Sequence, residues 1–239
     1  MTPIQLTGPN GANPLGFLCA LGTLRTLTNA WPEAEVKLAW RQEGAHWRPV
    51  LCANHADLND KDALVNALCA ELKKMDGHPA FNFRDEDGNQ WVTTEVSPSE
   101  YRRYASQSIK QYSPEHLIWM DFVAAFACEV VVNSKGEAAN TEFRFLGGGQ
   151  QRFVTALRNL VSEIEPSHLK EALFGPWRYE DDGDGNRNLR WDPADDRRHA
   201  LRWTDPTKPT SRLVRGKERS AKIWTVLGAN RLAIEGLPM

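Results

Sequence analysis

The sequence lacks most of the features that assign a chemistry at sight. Its four cysteines, Cys19, Cys52, Cys69 and Cys128, are far apart, with no C-x-x-C pair and no neighbouring histidine ladder. That excludes the usual zinc and dithiol redox signatures and leaves free, mostly buried thiols as the expectation. No apolar run approaches the roughly 18–20 residues that a membrane-spanning helix needs, and no basic-then-apolar leader opens the chain. The expected location is the cytoplasm, with no membrane partner. Net charge is nearly absent as well, at −2. Any attraction for nucleic acid must therefore come from local patches rather than from the whole molecule. Neither G-x-x-x-x-G-K-[ST] nor G-x-G-x-x-G occurs, so nothing points to nucleotide hydrolysis or dinucleotide binding.

What remains is a chain of 239 residues with 41% hydrophobic content, enough for a core in one large domain or two small ones. The stretch 141–160 organises the reading. Phe143 and Phe145 alternate with Glu142 and Arg144 at strand period, and Phe153, Leu157, Leu160 and Ile164 recur at helical spacing. Gly147, Gly148 and Gly149 join the two, with Gln151 and Arg152 in the first helical turn. Glycines admit close approach and a helix start attracts anions, so a phosphate site is the functional reading. A tight strand-to-helix turn is the simpler one.

The rest of the first three quarters reads as alternating helices and hairpins. Asn13 and Pro14 form an N-cap and first position for a helix whose apolar stripe is Phe17, Leu18, Leu21, Leu24, Leu27 and Trp31, stopped by Pro32. Gly16 and Gly22 each cost about 1 kcal/mol relative to alanine in a helix, which predicts that another element comes close there. Residues 36–52 read as a β-hairpin, 60–75 as a helix, and 81–96 as two short strands around a solvated acidic turn. Ser97-Pro-Ser-Glu is a capping box before a helix carrying Tyr101, Arg102, Arg103, Tyr104, Lys110 and Tyr112. Leu117, Ile118, Asp121, Phe122, Ala125 and Phe126 form a core helix. Asp121 on that face is either an internal hydrogen-bond acceptor or a functional carboxylate. Residues 130–132 read as a buried strand, and 165–176 as a short helix closed by Gly175 and Pro176.

From Trp177 onward periodicity fades and Asp, Arg, Trp, Gly and Pro dominate, which places a soft boundary between an α/β core (1–176) and a loop-rich region (177–239). The fold class expected is α+β: a mixed, predominantly antiparallel sheet with packed helices and an aromatic, basic C-terminal region. The acids at 180–188 suit a flexible hairpin tip better than a calcium loop. Asp192, Asp195, Asp196 and His199 are ligand types that a metal-dependent nuclease uses. Arg197 and Arg198 among them favour a turn held by Asp–Arg pairs, and no metal or other cofactor is expected. Between 207 and 222, Lys208, Arg212, Arg215, Lys217, Arg219 and Lys222 stand against Glu218 alone. Such a segment supplies phosphate contacts, with Trp203 and Trp224 placed to stack on bases. A solvated basic loop with core tryptophans is the other reading.

Two stretches carry a family likeness. Asn13-Pro-Leu-Gly-Phe-Leu-Cys-Ala-Leu-Gly-Thr-Leu-Arg resembles the Pro-Leu…Leu-x-Ala-Leu-Gly-x-Leu-Arg opening of CRISPR-associated proteins of subtype I-G, formerly I-U. The later Phe-Gly-Pro-Trp-Arg-Tyr…Leu-Arg-Trp-Asp-Pro-x-Asp-Asp-Arg-Arg…Gly-Ala-Asn-Arg-Leu-Ala-Ile-Glu is similar to a pattern of the same gene neighbourhoods. Together they cover about the first 30 and the last 65 residues. The resemblance implies a large-subunit-like or accessory member of an RNA-guided antiviral effector complex. Such a member touches target DNA or guide RNA and neighbouring effector subunits, without catalysis of its own. On that reading the binding residues are Gly147, Gly148, Gly149, Gln151, Arg152, Trp203, Arg212, Arg215 and Lys217. A metal-dependent nuclease or phosphohydrolase and a protein–protein module are the alternatives.

Overall fold

Asn13 starts the first long helix, α1 (Pro14–Ala30). Its Oδ1 accepts the N–H of Leu15 at 2.9 Å and of Gly16 at 3.3 Å, and Pro14, which has no N–H to satisfy, takes the first helical position. The helix ends where the N–H of Trp31 returns to the Leu27 carbonyl, just before Pro32. The computed structural model describes residues 3–82, 84, 87–90, 97–110, 120–140, 153–183, 187–193 and 224–239. Among them the fold is α+β, with helices around small antiparallel sheets.

A three-stranded sheet flanks α1. β1 (Ile4–Gln5), β2 (Lys37–Glu43) and β3 (His46–Cys52) stand in the order β1-β3-β2, all antiparallel. The β2–β3 pairing runs from Lys37↔Cys52 to Glu43↔His46, which leaves Gly44 and Ala45 as the turn. Gly44 takes φ 59°, the sign that a two-residue hairpin turn asks of its first position.

The helices that follow are capped as their sequences require. α2 (Lys61–Lys73) begins at Asp60, whose Oδ1 accepts from Asp62 and Ala63, and it buries Leu64, Val65, Leu68, Cys69 and Leu72. α4 (Pro98–Lys110) begins with the reciprocal box, the Ser97 N–H donating to Glu100 Oε2 at 2.9 Å and the Glu100 N–H to Ser97 Oγ at 3.2 Å. Between them α3 (Pro79–Asn82) takes residues 81 and 82, where the first of two strands was expected over 81–96; a bridge, Arg84↔Gln90, follows it, and 91–96, the place of the second strand, lie outside the described residues. The cause is tertiary. Phe81 is fully buried, its ring edge-on to Phe122 at 5.2 Å, and Tyr104 Oη donates to the Ala80 carbonyl.

A second reading changes in β4 (Ala127–Val132), which pairs with β5 (Ala138–Asn140). Val130, Val131 and Val132 are exposed rather than buried, because the register shifts after Cys128 and the hairpin stands as a two-stranded ribbon. Just before it, α5 (Met120–Phe126) buries Phe122 and Val123. Tyr101 and Tyr104 likewise turn inward, so the surface of α4 is less aromatic than its sequence reads.

The chain closes on its own beginning. α6 (Phe153–Ser162) and α7 (Pro166–Phe174) pack against α8 (Leu227–Gly236), which also lies along α1. β6 (Asp181–Asp182) pairs with β7 (Trp224–Thr225) just ahead of α8. One hydrophobic cluster runs from Ile4 to Leu237, so residues on both sides of position 176 share a core. α8 is buried almost all round, the sequence pattern of an interior helix rather than an amphipathic one. Among the described residues no helix is long and apolar enough to cross a membrane.

α1 meets α8 at Gly22, at the Leu18 carbonyl and at Arg25; Cys19, Gly22, Thr23 and Thr26 are buried, while Phe17, Leu18, Leu21 and Leu24 are only partly covered. A Cβ on Gly22 would overlap the Leu232 carbonyl, and one on Gly236 would stand 2.6 Å from the Leu18 carbonyl. Close approach is therefore what Gly22 provides, as its place in a helix implied. Gly22→Ala should lower stability by about 3 kcal/mol through overpacking, although alanine is the better helix former by about 1 kcal/mol. A thermal melt that shows unchanged or raised stability would contradict this packing.

Candidate functional site

Between α1 and α8 lies a buried ionic network. Arg25 Nη1 meets Glu235 Oε2 at 3.0 Å, and Arg231 Nη1 meets Glu235 Oε1 at 2.8 Å, so each carboxylate oxygen carries one guanidinium. Arg231 Nη2 donates to the Leu72 carbonyl at 3.1 Å, which ties α8 to α2. Arg25 Nη2 reaches Asp121 Oδ2 at 3.0 Å, and its guanidinium sits 5.0 Å above the Phe122 ring. Two arginines and two carboxylates balance in charge. With both Glu235 oxygens engaged, the arrangement is a structural clamp rather than a general base waiting for a proton. Asp121 thus serves as an acceptor for Arg25 at the edge of the core.

A second junction links the start of α1 with the segment after α7. Asn13, besides capping α1, donates from Nδ2 to Asp192 Oδ1 at 2.9 Å, and Tyr179 Oη donates to Asp192 Oδ2 at 2.6 Å. Asp192 is 1% exposed. Tyr179 and Arg190 hold φ at 55° and 58°, a left-handed conformation that costs a non-glycine residue about 1–2 kcal/mol. Hydrogen bonds around Asp192 hold these turns. The Arg190 N–H donates to Asn188 Oδ1, and the Leu189 N–H donates to Asn230 Oδ1 inside α8. Asn230 Nδ2 in turn donates to Thr225 Oγ1, and the Leu227 N–H to Asp181 Oδ2. Both ends of the stretch 194–223 are thereby anchored, one by Asp192 at the α1 cap and the other by β7 at the head of α8.

The opening of α1 is not an anion site. Pro14 has no N–H, Leu15 and Gly16 donate to Asn13 Oδ1, and Phe17 donates to the Asn13 carbonyl. The loop before it is equally engaged. Gly8 donates its N–H to the Leu173 carbonyl, Gly11 donates to the Trp47 carbonyl, and Arg48 Nη1 reaches the carbonyls of Gly8 and Pro9.

Of the residues that the sequence singled out, Gly147, Gly148, Gly149, Gln151, Arg152, Trp203, Arg212, Arg215 and Lys217 lie outside the described residues. So do Asp195, Asp196 and His199. Asp192 is described, and both of its oxygens already have protein donors. Among the described residues no group of three or more His, Cys, Asp or Glu side chains is placed to hold a metal ion. Burial pushes the thiols of Cys19 and Cys69 above their ordinary range, which makes them poor nucleophiles. Burial, and then Arg84 nearby, lowers the pKa of Arg158, whose Nε donates to the Phe81 carbonyl. Compared with known proteins, the chain matches no family model, no curated protein and no solved structure.

Sequence reasoning missed the clamp. Arg231 and Glu235 are spaced i,i+4, the ordinary spacing of a solvated helix pair. The only cue to burial is the apolar company of Leu227, Leu232, Ala233 and Ile234. Removing one member should separate buried from exposed charge. Glu235→Ala, which leaves Arg231 and Arg25 uncompensated in the core, should cost about 3–5 kcal/mol in denaturant melts. Asp121→Ala should cost less than about 1 kcal/mol, since that side chain is 52% exposed. Equal losses would show that burial does not set the strength of this network.

Proposed function

We propose that the chain is a non-catalytic, nucleic-acid-binding subunit of an RNA-guided CRISPR effector complex in the cytoplasm. In this role it contacts the phosphate backbone of target DNA or guide RNA, and it contacts neighbouring subunits. The observation that carries the reading is the meeting of the two stretches that resemble subtype I-G proteins. Asn13 touches Asp192, 179 positions away, Arg25 touches Glu235, 210 positions away, and Gly22 meets Gly236 just past the end of the second stretch. Their shared role is a frame.

That frame brackets the stretch 194–223, which has nine Lys and Arg against four Asp and Glu in a chain whose net charge is −2. The remainder is correspondingly acidic, so phosphate attraction is concentrated in one stretch. The exposed valines of β4 offer apolar surface to a neighbouring subunit. The nuclease alternative is weakened at Asp192, whose carboxylate is buried and hydrogen-bonded on both oxygens.

Purification from the native operon should bring guide RNA and backbone subunits with the chain. Alanine at Arg152, Arg212, Arg215 or Lys217 should weaken binding alike for all sequences. Each change should flatten the salt dependence by about one unit of slope per lost phosphate contact. Folding should change by less than about 0.5 kcal/mol. Wild-type binding at every salt concentration, together with a cleavage activity lost in Asp195→Ala or His199→Ala, would replace this reading with the nuclease.

A further inference from the structure

β2 closes one side of the three-stranded sheet, and among the described residues it pairs with β3 alone. The backbone groups that it turns outward can be named. In an antiparallel pair each residue aims its N–H and C=O together, toward one side of the strand or the other in alternation. Opposite Trp40 stands Pro49, which has no N–H and whose carbonyl accepts the Leu6 N–H from the far side of β3. Opposite Gln42 stands Trp47, whose carbonyl accepts from Gly11 and whose N–H donates to Asn10 Oδ1. Trp40 and Gln42 therefore do not bond to β3. By the same alternation Leu38, Trp40 and Gln42 all present N–H and C=O to the open edge.

An edge of seven residues in unbroken register, without proline, is a template for another strand. Exposed charge usually guards such an edge, and Lys37, Arg41 and Glu43 are exposed along this one. Their order, however, complements a copy of the same strand. Turned antiparallel about a two-fold axis at Trp40, β2 sets Lys37 opposite the second copy's Glu43, Leu38 opposite its Gln42, and Arg41 opposite its Ala39. Trp40 meets its own counterpart. Leu38, Trp40 and Gln42 then exchange backbone hydrogen bonds, while Lys37 and Glu43 fall at non-hydrogen-bonded pairs, where facing side chains come closest. Axes at Leu38 or Gln42 obey the same alternation but leave part of the strand unpaired. The axis at Trp40 also draws together apolar surface. Phe17 stacks on Trp40 with ring centroids 5.6 Å apart and is itself 41% exposed, so a second copy would cover aromatic surface that a single chain leaves in water.

We infer that β2 is a self-pairing edge, which joins two copies of this chain into a two-fold dimer with one continuous sheet in the order β1-β3-β2-β2-β3-β1. Charge order identifies the partner: in a two-fold contact each pairing occurs twice, so a strand with a cation at one end and an anion at the other satisfies both ends with its own copy. The dimer is independent of the nucleic-acid-binding reading, and its test needs no nucleic acid.

Sedimentation equilibrium of the full-length chain, freed of nucleic acid, should show a reversible monomer–dimer equilibrium. Lys37→Glu sets carboxylate against carboxylate at both ends of the paired strands and should weaken the dimer by about tenfold, as should Glu43→Lys. The double variant Lys37→Glu/Glu43→Lys restores opposite charges in reversed order and should dimerise as wild type does. Both side chains are exposed, so all three variants should melt as wild type does, and recovery in the double variant separates pairing from a folding defect. A wild-type chain that sediments as a monomer at every concentration would overturn the inference. A dimer that neither single change weakens would also overturn it, by placing the interface elsewhere. If both single changes weaken the dimer and the double variant does not recover, Lys37 and Glu43 do not face each other across this axis and the pairing is wrong.

Discussion

The contact between α1 and α8 governs this molecule. It joins residues near the beginning of the chain to residues near its end, and it is close because Gly22 and Gly236 leave no side chain between the two backbones. At that separation Arg25 reaches Glu235 directly, and Glu235 also holds Arg231. A wider spacing would take the Arg25 guanidinium from one Glu235 oxygen and leave both short of a partner in the core, at a cost of several kcal/mol. Glycine packing and charge pairing thus depend on each other. Thr23 and Thr26 add to the arrangement by donating their hydroxyls back to the carbonyls of Cys19 and Gly22, which satisfies both hydroxyls within the helix.

From this contact the rest of the described structure can be followed outward. α8 brings Asn230 to the Leu189 N–H, and with it the turn that seats Asp192 against Asn13. α1 brings Phe17 to Trp40, and the loop that precedes it lies across the end of β3. Cations are in excess in the sequence between residues 194 and 223, while the buried Arg25 and Arg231 are neutralised by Glu235.

Local signals were legible in the sequence wherever a single residue type has one dominant use. Asn13 with Pro14, Asp60, and Ser97 with Glu100 all marked helix starts, because a side-chain oxygen meets the free N–H groups of a first turn. Gly22 announced a close neighbour through its helix cost. Signals failed where tertiary context decides. Phe81 looked like strand until Phe122 and Tyr104 are seen to draw it inward, and the three valines of β4 looked buried although the ribbon leaves them exposed. α8 was invisible because a helix enclosed on all sides shows no polar face to set its period. Of the candidate site, Asp192 read as a metal-ligand type or as part of a turn held by Asp–Arg pairs, whereas its oxygens accept from Asn13 and Tyr179, distant positions that no spacing rule connects to it.

The account's central claim is that the first and last helices form one cooperative unit and not the centres of two. Native-state hydrogen exchange resolved by residue measures this directly, since amides that open in one event share one free energy of opening. The slowest amides of α1 and of α8 should exchange with the same opening free energy, equal to that of global unfolding, and should fall together when denaturant is added. If α8 opens well below the global value while α1 stays protected, the C-terminal region is a separate unit, and the frame described here does not exist.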